Sequence, residues 1–295
     1  MLNALKTIHR VDFLITYIVI LLIPAILARA SLQDSLIIMS FVLLAFAFGN
    51  VINSYSDAKT DASNLRKKGI AEAVSDINFL KPLIIVEFFL VAASAIVLFG
   101  SKPLALIFGG SIAFLAIGYS LKPLRFKGRG VLHGISLLLS VYFLPLLFVY
   151  FALTEKIVWW FVGLILAYAL FRSGISTINN VDDYFEDKKQ GIKTTAVALG
   201  VKRTALIGLL LSILGVLGTL IIITMLGVSP ILSALLAIPA TLVLWQEWLV
   251  YKSSKKETKA GVKSSQEFFK RPNIVNLYDY VFLAICVVLH FRALV

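Results

Sequence analysis

Residues 36–61 read LIIMSFVLLAFAFGNVINSYSDAKTD, an uncharged apolar run that passes directly into polar sequence and ends in carboxylates. Asn53, Asp57 and Asp61 are spaced by four residues. At about 3.6 residues per turn they lie on one face of a helix, roughly 5–6 Å from neighbour to neighbour. Two acidic groups so placed repel each other unless a cation lies between them. The stretch therefore predicts a membrane helix whose end binds a cation.

The same arrangement occurs again in residues 179–187, which read NNVDDYFED and also follow an uncharged run. Asn179, Asp183 and Asp187 keep the spacing of four. The two aspartate pairs share one offset, since 183 − 57 and 187 − 61 both equal 126. We interpret this as an internal repeat and expect two acidic helix ends that face one cavity.

The composition is that of an integral membrane protein. The 295 residues are 59% hydrophobic and the mean hydropathy is +0.92, whereas apolar usage in soluble domains is nearer half. A net charge of +12 would suggest nucleic acid in a soluble protein, but here it first reflects membrane topology, and no nucleic-acid partner is expected. The single cysteine, Cys286, excludes an intramolecular disulfide.

Nine segments are apolar enough to cross a bilayer, and backbone polarity in lipid requires each crossing to be a helix. The predicted spans are Phe13–Ala28, Leu36–Asn53, Pro82–Phe99, Leu104–Ser120, Val131–Leu153, Val158–Ile178, Ala205–Leu226, Ser229–Tyr251 and Ile274–Leu294. We expect an all-α membrane protein of nine helices around a central cavity, capped by cytoplasmic loops. Residues 1–295 would form a single transmembrane domain.

Lysine and arginine are distributed unevenly along the chain. With nine spans, the N-terminus and the loops after the second, fourth, sixth and eighth helices share one side. Of the 28 Lys and Arg residues, all but Arg29, Lys102, Lys156 and Arg292 belong to that side. The positive-inside rule predicts that the N-terminus and both acidic motifs are cytoplasmic and the C-terminus is opposite, with the cell membrane as the expected location.

The acidic motifs predict a site for a metal ion and a phosphorylated lipid. Mg²⁺ binds one or two carboxylates, keeps several waters and takes further ligands from substrate phosphates. Two facing acidic pairs would hold a diphosphate through metal bridges, and an apolar cavity would shield its hydrocarbon tail from water. The candidate metal ligands and catalytic residues are Asp57, Asp61, Asp183 and Asp187.

Cationic and polar side chains in the same loops are candidate contacts to the diphosphate, since Arg and Lys bind phosphate oxygens well. Tyr119 is included because it lies close to Lys122 in the sequence. Cleavage of an allylic diphosphate leaves a carbocation, which electrostatic stabilisation supports without a covalent nucleophile. The candidate substrate-binding residues are Asn50, Asn53, Arg66, Lys67, Tyr119, Lys122, Arg125 and Asn179.

A second interpretation treats the acids as helix caps and loop salt bridges in a transporter of an amphipathic anion, which would use the same cations without turnover. One acidic pair at a helix end would favour that interpretation. Two pairs at the same offset, each with an upstream Asn, favour a functional site. The three histidines do not cluster in the sequence, so no histidine metal site is expected.

The chain resembles the UbiA-type intramembrane prenyltransferases. That family carries Asn-Asp-x-x-Asp-x-x-x-Asp after its second helix and Asp-x-x-x-Asp after its sixth. Residues 53–61 read NSYSDAKTD and residues 183–187 read DYFED. The continuation 187–200, DKKQGIKTTAVALG, and the loop 119–130 are also similar to the family. With the helix count, the resemblance covers nearly the whole chain.

The resemblance implies Mg²⁺-dependent transfer of a prenyl group from a polyprenyl diphosphate to a hydrophobic or aromatic acceptor drawn from the lipid bilayer. It implies that the four aspartates bind metal and diphosphate and that Asn53 assists. Arg66 and Lys122 become candidate diphosphate contacts. The expected acceptor is an aromatic quinone precursor, with a geranylgeranylglyceryl phosphate-type lipid as the alternative.

Three positions depart from the family pattern. Ser54 replaces the usual first Asp, and residues 64–68, NLRKK, stand where many members have Asn-Arg-Pro-x-Arg-Pro. Both changes leave the expected metal ligands intact and alter the loop. Asp182 occupies a position where naphthoate-type members usually carry Arg, which argues against a simple naphthoate assignment, although Asn179 and Asn180 resemble that branch.

Overall fold

Helices make up most of the described part of the chain. The structure, a computed structural model, describes residues 1–62 and 68–291, and these contain no β-strand. The predicted all-α fold is therefore confirmed. Two candidate phosphate contacts, Arg66 and Lys67, lie outside the described residues.

Fifteen α-helices follow one another in the described residues. The first eight are α1 (Leu2–Ile8), α2 (Val11–Leu27), α3 (Leu32–Asp61), α4 (Lys68–Ser75), α5 (Leu80–Phe99), α6 (Pro103–Ser120), α7 (Val131–Leu137) and α8 (Leu144–Leu153). The others are α9 (Trp159–Asp182), α10 (Tyr184–Lys189), α11 (Thr195–Leu199), α12 (Val201–Met225), α13 (Pro230–Lys256), α14 (Thr258–Phe269) and α15 (Pro272–Phe291). A 3₁₀ turn covers Phe126–Gly128, and a π-helical segment, Leu138–Phe143, joins α7 to α8.

Eight spans in the described residues are long and apolar enough to cross a membrane: α3, α5, α6, the run Val131–Leu153, α9, α12, α13 and α15. The remaining predicted span corresponds to α2, which has 17 residues and is reached from α1 through a bend of 50°. Joined to α1, it makes a ninth. Each predicted span overlaps an observed helix, and the central cavity stays a prediction.

The chain divides into two compact units, of which the first comprises residues 1–125 and 148–155. Its longest helix, α3, begins where the Ser31 hydroxyl accepts a hydrogen bond from the Asp34 backbone N–H at 3.0 Å, since a serine cap satisfies a free amide of the first turn. A buried apolar cluster packs α1 and α4 against α3. Its residues are Ala4, Ile8, Val51, Ala73, Ile77 and Leu80.

An ion pair between His9 and Glu87 also links the N-terminal segment of the first unit to α5. The Nε2 atom of His9 lies 2.8 Å from Glu87 Oε1, and Nδ1 lies 2.7 Å from the Leu5 carbonyl oxygen. Both ring nitrogens face oxygen atoms, an arrangement that favours the doubly protonated imidazolium. The hydrogen bond to Glu87 raises the pKa of His9 above its ordinary value of 6.5.

The second unit comprises residues 126–147 and 156–295, and its tightest packing is between α9 and α12. Glycines allow this close approach. A Cβ added at Gly174 would lie 2.6 Å from the Gly208 carbonyl oxygen, and one added at Gly215 would lie 2.6 Å from the Ala167 carbonyl oxygen. Small residues at a helix crossing let two backbones approach and gain dispersion contacts, the main source of helix association in lipid.

Arg172 corrects the predicted distribution of loop cations. It was counted with the cytoplasmic cations although it falls within the predicted span Val158–Ile178, and the structure places it inside α9. There it donates to Asp279 Oδ2 in α15 at 3.1 Å. Tyr168 donates to the other carboxylate oxygen of Asp279 at 2.8 Å. A charge inside the hydrocarbon region needs a partner, and Asp279 supplies it. The remaining cations keep the predicted bias.

Replacing Gly215 by alanine should destabilise the protein, because the added methyl group meets the backbone of α9. We expect a loss of about 1–3 kcal/mol, typical of overpacking, seen as a lower midpoint of thermal unfolding in detergent. Gly110→Ala in α6 is the matched control, since a Cβ there meets nothing within 4 Å. Equal midpoints for the two variants would contradict this account of the crossing.

The His9–Glu87 pair should make stability depend on pH. Because the folded-state pKa of His9 is raised, the pair stabilises fully below about pH 6.5, the unfolded value, and its contribution is lost as pH rises through the folded pKa. The difference in thermal midpoint between the native chain and Glu87→Gln should therefore shrink as the pH rises above the unfolded value. Glu72→Gln, at an exposed pair with Lys68, should show no such trend. A pH-independent difference for Glu87→Gln would contradict the charged pair.

Candidate active site

The first acidic motif occupies the last turns of α3, which runs unbroken to Asp61. The prediction that Asn53, Asp57 and Asp61 share one helix face is thereby confirmed. Asp57 is 1% exposed and Asp61 is 5% exposed. Two carboxylates one turn apart and nearly out of water repel strongly, because burial lowers the dielectric screening between them. The end of α3 therefore requires positive charge.

Arginine and amide groups of the first unit surround Asp57. A guanidinium nitrogen of Arg125 lies 3.7 Å from Asp57 Oδ1. The Asn53 amide donates to Asp57 Oδ2 at 3.1 Å, and its oxygen accepts from Arg10 at 3.1 Å. This orientation of the amide is the one in which its nitrogen faces acceptors and its oxygen faces the guanidinium. Arg125 and Asn53, both predicted from the sequence, are thus placed together on Asp57.

Arg10 is a site residue that the sequence reasoning missed. It precedes the first apolar span and was assigned only to the topology signal. Its backbone has a φ of 51°, in the left-handed region, at the turn between α1 and α2. That turn brings its guanidinium to Asn53. The only sequence signal was a cation near the start of a span, which does not distinguish a lipid-facing arginine from one that faces the acidic motif.

The other predicted residues of the first unit have different surroundings. The Asn50 side chain donates to the His9 carbonyl oxygen at 3.3 Å, so it binds the N-terminal turn. Tyr119 is half-buried in α6, and Lys122 is exposed in the loop that follows. Lys122 is therefore accessible to solvent, whereas the Asn50 side chain binds backbone.

The second acidic motif does not lie on one continuous helix. The sixth span, α9, ends at Asp182, Asp183 lies in the break, and α10 begins at Tyr184. Helical spacing survives across the break, since the Asp187 N–H donates to the Asp183 carbonyl oxygen at 2.9 Å. Asp187 is 7% exposed and Asp183 is half-buried. The second motif thus spans the junction of α9 and α10, with Asp183 at the break and Asp187 inside α10.

Asn179 differs from its counterpart Asn53. It is exposed on α9, whereas its neighbour Asn180 is 8% exposed and donates to the Ser176 carbonyl oxygen at 3.2 Å. The repeat therefore holds for the aspartates more closely than for the asparagines. The predicted alignment of Asn179 with Asp183 assumed one continuous helix, but α9 ends at Asp182.

Hydrogen bonds join the loop before α7 to the segment after the second acidic motif. The Gly130 N–H donates to the Lys193 carbonyl oxygen at 2.6 Å, and the Thr195 hydroxyl donates to the Gly130 carbonyl oxygen at 3.0 Å. Gly130 has a φ of 61°, which favours glycine at this position. These bonds hold two loops of the second unit together beside its acidic motif.

The donor sets suit a hard divalent cation. Within residues 1–62 and 68–291, no three or more His, Cys, Asp and Glu side chains form a group able to hold a metal on their own. Each acidic motif supplies two carboxylates. That is the number Mg²⁺ commonly takes from a protein when substrate phosphates and water complete its six ligands. The residues present therefore fit Mg²⁺ bound together with a phosphorylated substrate.

Comparison with known proteins agrees with this chemistry. The sequence profile of the UbiA prenyltransferase family matches residues 13–270. A search of curated proteins found no significant match.

Several solved structures share the fold. One, described as "Structural and mechanistic insights into the biosynthesis of Digeranylgeranylglyceryl phosphate synthase in membranes", is 21% identical, has a TM-score of 0.71, and covers 97% of this chain and 99% of its own. A UbiA homolog from Archaeoglobus fulgidus bound to DMAPP and Mg²⁺ is 18% identical, with a TM-score of 0.68 and coverages of 97% and 98%. A UbiA homolog from Archaeoglobus fulgidus bound to GPP and Mg²⁺ is 18% identical and has a TM-score of 0.66. The match covers 98% of this chain and 100% of that chain.

Proposed function

Because the chain belongs to the UbiA prenyltransferase family, we propose that this intramembrane prenyltransferase transfers a prenyl group from a polyprenyl diphosphate to a membrane-associated acceptor in a Mg²⁺-dependent reaction. The observation that carries the proposal is the buried pair Asp57 and Asp61 with arginine beside it. Neighbours of the same fold bind DMAPP or GPP with Mg²⁺, which supports the substrate class. The family match spans most of residues 1–295, which we treat as one functional domain.

Four aspartates are the proposed metal ligands: Asp57, Asp61, Asp183 and Asp187. That both pairs serve one diphosphate is inferred from the sequence repeat and from the charge bias, which predicts both motifs on one membrane side. Bound Mg²⁺ would neutralise the charge that develops on the departing diphosphate. Arg125, Lys122 and the undescribed Arg66 and Lys67 would donate to phosphate oxygens.

The residues of this chain bind, orient and shield the reactants. The bond between the allylic carbon and the diphosphate oxygen breaks, and its electron pair leaves with the diphosphate. An electron-rich acceptor carbon or oxygen then bonds to the allylic carbon and loses a proton. Fixed charges around Asp57 need no reorganisation during this step, and apolar helices keep water from the cation.

The acceptor is proposed to be an aromatic quinone precursor, because Asn179 and Asn180 resemble the naphthoate branch of the family, although Asp182 argues against a simple naphthoate assignment. A glycerol-lipid acceptor is the second candidate, because one neighbour is described as a digeranylgeranylglyceryl phosphate synthase. The two candidates predict different products, a carbon-linked ring and an ether lipid.

The proposed location is the cell membrane, with the N-terminus and both acidic motifs cytoplasmic and the C-terminus opposite. The bias of Lys and Arg toward the N-terminal side supports it, and it survives the move of Arg172 into α9.

Removing one metal ligand should abolish turnover. With Mg²⁺, an allylic diphosphate and acceptor, Asp57→Asn and Asp183→Asn should each release diphosphate at least about 100-fold more slowly, the usual cost of losing one preorganised electrostatic group. Glu72→Gln, an exposed acid of α4, is the matched control. Turnover that persists in excess chelator, or in either aspartate variant, would contradict the metal role.

Mass spectrometry of the products from a panel of aromatic and glyceryl phosphate acceptors separates the two acceptor classes. A prenylated ring supports the first proposal, and an ether lipid replaces it with the second. Transbilayer flux of the diphosphate with no product from any acceptor would instead support the transporter interpretation.

A further inference from the structure

The turn between α1 and α2 is fixed by polar contacts within the first unit. His9 lies between Glu87 of α5 and the Leu5 carbonyl oxygen, at 2.8 and 2.7 Å. From α3, Asn50 donates to the His9 carbonyl oxygen at 3.3 Å, and Ser54 donates to the Ile8 carbonyl oxygen at 3.2 Å. The turn is therefore held from both α3 and α5.

This turn leads directly to the first acidic motif. Arg10 follows His9 and adopts a left-handed backbone, which directs its guanidinium to the Asn53 oxygen at 3.1 Å. The Asn53 amide in turn donates to Asp57 Oδ2 at 3.1 Å. A continuous series of bonded groups thus runs from Glu87 to the proposed metal ligand Asp57.

We propose that the His9–Glu87 ion pair positions Arg10 on Asn53, and thereby sets the Asp57 carboxylate for binding of a metal-bound diphosphate. The inference rests on the proposed function, because it takes Asp57 as a metal ligand. His9 and Glu87 act through Arg10 and Asn53 and are positioning residues. Hydrogen-bonded groups behind a metal ligand orient it, and their removal typically costs about 10–100-fold in affinity or activity.

Attachment of α1 does not depend on this pair alone. Ala4 and Ile8 pack in the buried apolar cluster with Val51, Ala73 and Leu80. Such burial contributes about 25 cal/mol per Å² of apolar surface, and it has no directional preference. The two hydrogen bonds of the His9 ring, to the Glu87 carboxylate and to the Leu5 carbonyl oxygen, add what apolar packing lacks, a fixed orientation for the next residue. That residue is Arg10.

A double-mutant cycle on the full chain tests the inference. Binding of inorganic diphosphate in the presence of Mg²⁺ is measured by calorimetry in detergent for the native chain, Glu87→Ala, Arg10→Ala and the double variant. Each single change should weaken binding roughly 10-fold, the lower end of the range for such groups. The double variant should bind no more weakly than Arg10→Ala, because the two residues act in series.

Further variants separate position from stability. Leu80→Ala, in the apolar cluster but outside the hydrogen-bonded series from Glu87 to Asp57, should lower the thermal midpoint and leave diphosphate binding unchanged. Glu87→Gln keeps an oxygen that accepts from His9 Nε2, so it should bind diphosphate more tightly than Glu87→Ala. It also keeps the size of the native side chain, so it should fold even if Glu87→Ala does not. Exposed Glu72→Gln should bind like the native chain.

The outcomes distinguish this inference from the proposed function. The positioning role would be overturned if the affinity losses of Glu87→Ala and Arg10→Ala multiplied in the double variant, or if Glu87→Ala bound diphosphate like the native chain. The proposed function would stand in either case, since the native chain still binds diphosphate. An equal loss of binding in Leu80→Ala would also overturn it, by assigning the effect to stability. A native chain that fails to bind Mg²⁺ and diphosphate would overturn both.

Discussion

Burial of two carboxylates one helical turn apart is the constraint on which the first unit depends. Asp57 and Asp61 are nearly inaccessible to solvent at the end of a 30-residue helix. Without compensation their repulsion and desolvation would oppose folding, because ionised groups are costly to remove from water. Arg125 returns from the end of α6 to Asp57, and the α1–α2 turn brings Arg10 to Asn53. The helix connections of this unit are thus arranged to place cations around one acidic surface.

The second unit meets its polar requirements by another route. Arg172 and Tyr168 of α9 bind Asp279 of α15, and Ser212 of α12 donates to the buried Glu247 of α13 at 2.8 Å. Glycines bring α9 and α12, the helices that carry these donors, into close backbone contact. Its acidic motif stands where α9 ends, beside loops joined through Gly130. Close packing of the helices leaves the loops and the break at Asp183 to supply the functional geometry.

The helical spans and the first acidic motif were predictable from the sequence, because lipid leaves the backbone few alternatives to a helix. Apolar runs of sufficient length must be helices, so hydropathy located the spans, and a period of 3.6 placed Asp57 above Asp61. The break at Asp183 was missed because no Gly or Pro marks it. Arg172 was counted with the loop cations although the predicted sixth span contains it, and its partner, Asp279, is 107 residues away in the sequence. His9 and Glu87 are 78 residues apart, and each alone has no distinctive sequence signal. Pairings of this kind depend on tertiary contacts.

The central claim is that Asp57 and Asp61 act together with Asp183 and Asp187 on one diphosphate. The most direct measurement is anomalous diffraction from crystals grown with Mn²⁺ in place of Mg²⁺ and an unreactive allylic thiodiphosphate. The account predicts manganese peaks bound to carboxylates of both motifs and a single diphosphate ligated by those ions. Manganese at only one motif, or a diphosphate that contacts no metal, would contradict it.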